Sequence, residues 1–100
     1  MASGLALSPC FCGVRVVSAG KLILPRGWVL PRRVLAEDAL LYVRRGRGEV
    51  VVGESVLPLR REHVYLLPRE VPHRAQAGTA HILEHWQLSF SLVGPDGTTV

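Results

Sequence analysis

Glycine and proline punctuate this chain every few residues along most of its length and cluster at no boundary, from Gly4 through Pro25, Gly46, Pro58 and Pro72 to Gly97. In a helix interior glycine costs about 1 and proline about 3 kcal/mol relative to alanine. Ten glycines and seven prolines in 100 residues therefore favour segments of strand length joined by turns. No internal repeat, linker or low-complexity tract interrupts this spacing. With 48% hydrophobic and 20% charged residues the chain has enough apolar side chains for one core and one domain.

The same arithmetic excludes several classes. The longest uncharged stretch, Met1 to Val14, is diluted by Ser, Gly, Pro and Cys, and later apolar runs meet Arg or Pro well before bilayer length. No transmembrane helix is expected. The first cation, Arg15, follows the apolar run rather than preceding it, unlike a secretory leader; the expected location is cytoplasmic. Cys10 and Cys12 are too close to form a scaffold bridge and too few for a four-cysteine zinc site. The net charge of +4 comes almost wholly from arginines scattered from Arg15 to Arg74, without the single basic stripe of a nucleic-acid reader.

Read along the chain, Gly13 to Ala19 is a first strand closed by Gly20, and Pro25-Arg26-Gly27 is turn chemistry before Trp28. Between Arg33 and Arg45 helix formers precede the apolar run Leu40-Leu41-Tyr42-Val43, which predicts a turn and then a strand. Gly46 and Gly48 break any helix there. The clearest local signal is Glu49 to Leu59, two β-rich runs joined by Gly53-Glu54 in the order a type II′ turn requires. Val50 then opposes Leu57 and Val52 opposes Ser55, on a face with Leu59 that is expected to be the core face, leaving Val51 and Val56 outside. Val64 to Leu67 is a short buried strand ended by Pro68, and His73 begins the next segment after Pro72. From Ile82 onward Trp86, Leu88, Phe90 and Leu92 alternate with His85, Gln87, Ser89 and Ser91, which predicts a half-buried strand with the serines on its wet face. Seven or eight short strands without a convincing amphipathic helix predict an all-β antiparallel barrel or sandwich, of which a jelly-roll barrel fits best.

The run Leu41-Tyr42-Val43-Arg44-Arg45-Gly46-Arg47-Gly48, the Gly53 hairpin, Val64-Tyr65-Leu66-Leu67-Pro68 and Val71-Pro72-His73 resemble, in order and spacing, the cupin sensor domain of AraC-type transcription regulators. Trp28 to Arg33 and Trp86 to Phe90 extend the likeness over most of the chain. It implies a cupin-like jelly-roll barrel of short antiparallel strands over residues 13 to 100, with residues 1 to 12 as an N-terminal extension. It also implies a small-molecule effector, a sugar or another metabolite, in the lumen, and a homodimer, here through Val51 and Val56. Contact with DNA in such regulators is made by a helix-turn-helix domain that this sequence does not contain.

Many cupins are metal enzymes, and the resemblance specifies where this chain departs from them. His73 matches the late metal histidine and Pro68 the turn proline, but Glu70 replaces the turn glycine and Glu62-His63 replaces the usual Gly-Asp, so that turn must be made differently or strained. No histidine precedes His63, and Ala39 stands where a glutamate is common. A mixed nitrogen and oxygen ligand set is therefore incomplete; no cofactor is expected, and only His73 would qualify as a metal ligand. His81 and His85 on one strand would lie more than a dozen ångströms apart, too far to share an ion. No nucleophile elbow or paired acid and base is legible, so no catalytic residue is assigned.

The candidate ligand-binding residues are Trp28 and Trp86 as stacking surfaces, Tyr42 and Tyr65 as hydroxyl donors, His73 in the lumen, and Arg32 or Arg33 as a fork for a carboxylate or phosphate. Trp86, Leu88 and Phe90 have core packing as their competing role. The reading is a non-enzymatic sensing and dimerisation domain; its rivals are a stand-alone metal-dependent cupin enzyme, of isomerase or dioxygenase type, and a polyanion-binding barrel using Arg44, Arg45, Arg47, Arg60 and Arg61.

Overall fold

The structure, a computed structural model, describes residues 13–98. The two cysteines and the whole N-terminal extension, residues 1–12, lie outside the described residues. Eight strands follow in order: β1 (Gly13–Leu24), β2 (Val29–Arg33), β3 (Asp38–Gly46), β4 (Gly48–Val52), β5 (Ser55–Leu59), β6 (Val64–Leu67), β7 (His73–Ala77) and β8 (Leu83–Val93). They form two antiparallel four-stranded sheets, ordered β1-β8-β3-β6 and β2-β7-β4-β5, packed face to face as a jelly roll.

Local turn chemistry sets the connections. The β4–β5 hairpin has the register the sequence predicts, Val50 opposite Leu57 and Val52 opposite Ser55, with Gly53 at a φ of 60°. Gly27, at a φ of 74°, completes the Pro25 turn, where the Trp28 N–H donates to the Pro25 carbonyl at 3.1 Å. The two turns that lack their expected glycines are strained: Glu62 and Glu70 adopt φ values of 65° and 63°, left-handed conformations unfavourable to residues with a Cβ. Backbone hydrogen bonds hold them there, from Glu62 N–H to the Val43 carbonyl (2.7 Å) and from Glu70 N–H to the Leu35 carbonyl (2.9 Å).

Gly46 carries a different constraint. Its φ is 98°, and a Cβ there would stand 1.8 Å from the Ile82 carbonyl oxygen. Only a residue without a side chain lets β3 and the start of β8 approach this closely.

The core fills the space between the sheets with Leu24, Ala39, Leu41, Val43, Val50, Leu59, Leu67, Ala75, Ala77 and Leu83. Several expectations are corrected here. β1 runs through Gly20, which pairs with Gln87 and has open space around it, so long-range pairing with β8 carries the strand past a residue that locally favours a stop. β6 is an edge strand, with Val64 and Leu66 more than half exposed. Leu57, two residues past the start of β5, is 38% exposed, because β5 is also an edge strand.

The largest correction concerns β8. The predicted alternation is present but its sense is reversed: Leu83, His85 and Ser89 are buried, whereas Trp86 is 46% exposed and Leu88 and Phe90 are only half-buried. Leu83, fully buried against the glycine gap at Gly46, fixes the parity of everything after it. The serine face turns inward, and the tryptophan face turns to the outside of the barrel.

Candidate functional site

The inward faces of β2, β7 and β8 bring four polar side chains together. β2 and β7 pair with Arg33 opposite His73, and β8 presents His85 and Gln87 from the other sheet. A register irregularity between Leu30 and Arg33 aims the Arg33 side chain into the lumen. Its Nε donates to His73 Nε2 at 3.0 Å and its Nη2 donates to Gln87 Oε1 at 2.7 Å, joining the two sheets.

Those bonds fix the state of the first histidine. Nε2 accepts from a cation, so the His73 ring is neutral with its proton on Nδ1, an atom buried without a well-formed hydrogen bond. Burial lowers the His73 pKa below the ordinary 6.5; Arg33 lowers it further, and the nearby Val71 carbonyl partly opposes both. His85 is wholly buried, and neither ring nitrogen has a partner. Burial and then the charge of Arg33 hold its pKa down as well. An unsatisfied buried donor or acceptor costs about 1–3 kcal/mol, so an isolated imidazole here is an expense the fold carries for some other reason.

Access comes from the side where the barrel is open. The inward-facing β1 residues Ser18, Gly20 and Leu22 are exposed, and with Arg33 and Gln87 they line a cleft of about 250 Å³. The remaining candidates lie elsewhere. Trp28 is 62% exposed in the turn before β2, and Arg32 faces a separate surface cleft with Val51 and Pro72. Tyr42 and Trp86 are register partners on the outside of the barrel. The Tyr65 hydroxyl donates to the Pro58 carbonyl (2.7 Å) and accepts from the Arg60 N–H (2.9 Å), tying β6 to β5. Thus the fold brings together Arg33 and His73 of the residues singled out from sequence, and adds His85 and Gln87. The available signal for these two was the polar half of the β8 alternation.

The metal set of cupin enzymes does not fit this lumen. His73 Nε2 is already committed to Arg33, whose charge would repel a dication, and no inward-facing strand residue is acidic. Among the described residues no three of His, Cys, Asp and Glu cluster as ligands.

No protein-family model and no curated sequence matches this chain. Solved structures do. The cupin domain of Schizosaccharomyces pombe Cnp3 superposes with a TM-score of 0.69 at 17% identity over 82% of this chain and 56% of its own. A salicylate 1,2-dioxygenase from Pseudoaminobacter salicylatoxidans, in complex with gentisate, gives 0.67 at 22% over 81% of this chain and 20% of its own. A cupin superfamily protein from Desulfitobacterium hafniense gives 0.68 at 17% over 75% and 66%. This chain thus spans little more than half of the first of these proteins and a fifth of the second. Its fold is the cupin jelly roll.

Proposed function

We propose that this chain is a ligand-binding and self-associating module, taking a small metabolite into its lumen as the effector domains of AraC-type regulators do. The observation that carries the reading is the orphaned imidazole of His85 and the arginine-linked His73, both under the charge of Arg33, whose side chain also lines an open cleft. Buried polar atoms without partners mark a place where a ligand supplies the missing bonds. A thermal-shift screen of the full chain against sugars, organic acids and aromatic metabolites tests it: a binder of the folded state raises the midpoint. The rise should vanish in Arg33→Ala. Failure of every ligand class to shift the midpoint would overturn the reading.

In this reading self-association uses the outer face of the β1-β8-β3-β6 sheet rather than the hairpin face of Val51 and Val56. Six exposed apolar side chains, Val14, Val16, Ile23, Val64, Leu66 and Trp86, lie on the outside of the β1-β8-β3-β6 sheet. Continuous apolar faces of several hundred Å² mark interaction sites. On the same strands the cations Arg15, Lys21, Arg44 and Arg45 exceed the acids Asp38 and Glu84, and Arg45 is paired with Glu84 at 2.8 Å. A second copy in an isologous arrangement covers both faces at once. Sedimentation at micromolar concentration should show about twice the 11.0 kDa chain mass and, for Leu66→Asp, the single-chain mass; a wild-type chain that sediments singly rejects this half of the reading.

A metal-dependent cupin enzyme is the rival reading, suggested only by the fold shared with a dioxygenase and opposed by the Arg33–His73 bond. Elemental analysis of protein purified without chelators decides: a stoichiometric transition metal, lost in His73→Ala, establishes it.

A further inference from the structure

Building on the lumen reading above, we propose that the ligand is a small organic carboxylate, seated in the β1 cleft against the Arg33 guanidinium and the Gln87 amide. The charge balance points to this class. Arg33 is half-buried, yet both of its hydrogen-bond partners, His73 Nε2 and Gln87 Oε1, are neutral acceptors, and no inward-facing strand residue supplies a carboxylate. A charge withdrawn from water is costly unless an opposite charge meets it.

The neighbouring groups add donors and little acceptor capacity. The Gln87 Oε1 already accepts from Arg33, which leaves the Gln87 amide N–H₂ and the Arg33 Nη1 as donors at the cleft, with Lys21 also lining it; His73 and His85 are buried and do not line it. A carboxylate is acceptor-only and carries the missing charge. A sugar offers donors and acceptors in similar number but leaves the guanidinium unbalanced, and a dication meets repulsion.

The cleft selects for size and shape. At about 250 Å³ it lies just under the usual range for small-molecule sites, which suits an acid of a few carbons or one ring. Ala19, Gly20 and Leu22 offer apolar surface for the body of the ligand, beside Gln87, the register partner of Gly20, and Arg33, which take its head; Lys21 also lines the cleft.

Titration calorimetry on the full chain with acetate, benzoate and succinate, each paired with its neutral amide, tests the proposal, with inorganic phosphate as a further arm. The expected result is binding of at least one carboxylate and at least about tenfold weaker binding of its amide, the ratio for losing a hydrogen bond to a charged group. Arg33→Gln should abolish the difference and Arg33→Lys should restore part of it. Ring signals of His73 and His85, followed by NMR in the unsubstituted protein, should move with the bound carboxylate, a readout independent of whether the variants fold.

Equal binding of acid and amide, or phosphate bound in preference to every carboxylate, overturns the ligand class. If ring signals still move, the lumen reading stands without it. If no carboxylate binds while a sugar from the screen does, the ligand class fails alone. If nothing binds, both fail together.

Discussion

The two faces of the β1-β8-β3-β6 sheet are built against ordinary expectation. Toward the lumen β8 presents His85, Gln87 and Ser89; toward the outside it presents Trp86, Leu88 and Phe90, flanked by valines of β1 and β6. A sheet that simply packed on a core would show the opposite arrangement. A polar inner face is tolerable where side chains from the facing sheet answer it, and Arg33 of β2 does so for Gln87 but no side chain does so for His85. The apolar outer face is tolerable where something covers it. Each face thus leaves groups unanswered in the barrel: the imidazole of His85 inside, and exposed apolar side chains outside.

The contrast between the inner and outer faces can be broken by substitution, beginning with the largest effect. Leu41 is fully buried in the apolar part of the lumen, and Leu41→Ala should cost about 2–5 kcal/mol in urea unfolding. A loss below 1 kcal/mol would mean that the lumen there is loosely filled.

Next, His85→Leu exchanges an unsatisfied buried imidazole for an apolar side chain. It should stabilise the protein by about 1–3 kcal/mol in the same measurement while weakening ligand binding. Destabilisation would instead show that the imidazole finds a partner, such as a buried water.

The third effect is set by pH. Both lumen histidines have native pKa values below 6.5, so between the native and unfolded values the unfolded chain binds more protons and stability rises with pH. Their full contribution is therefore present above the unfolded value and is lost as pH falls below about 6.5 toward the lowered native values. Arg33 is the charge that faces both rings. The thermal midpoint should drop over this window, less steeply in His85→Leu, and a bound carboxylate should flatten the drop because it favours the protonated rings.

Smallest is Leu66→Ala on the outer face, where side chains more than half exposed should change single-chain stability by at most about 0.5 kcal/mol. Its effect belongs to association, read as a shift in the concentration at which dimers dissociate.

How much was legible in advance follows the range of the forces involved. The hairpin register at Gly53, the Pro25 turn, the limits of β6 and the start of β7 at His73 come from backbone preferences of a few adjacent residues, and sequence alone specifies them. The same local chemistry flags the strain at Glu62 and Glu70, where residues with side chains stand in for glycine. It misplaces the end of β1, because Gly20 is a stop only until β8 pairs with it.

The site was legible in part. His73 and Arg33 are accessible to sequence reasoning as types, but their meeting with Gln87 and His85 spans up to 54 positions along the chain. Tyr42, Trp86 and Trp28, equally plausible by type, fall on the outside or in a turn.

What the order of amino acids determined on its own is the set of strands, their turns and one hairpin register, since these depend on φ preferences and neighbours in sequence. What only the assembled barrel decided is which side of β8 faces in. A period-two pattern reads identically from either side, and the choice was made by the packing of Leu83 where Gly46 lets two backbones approach.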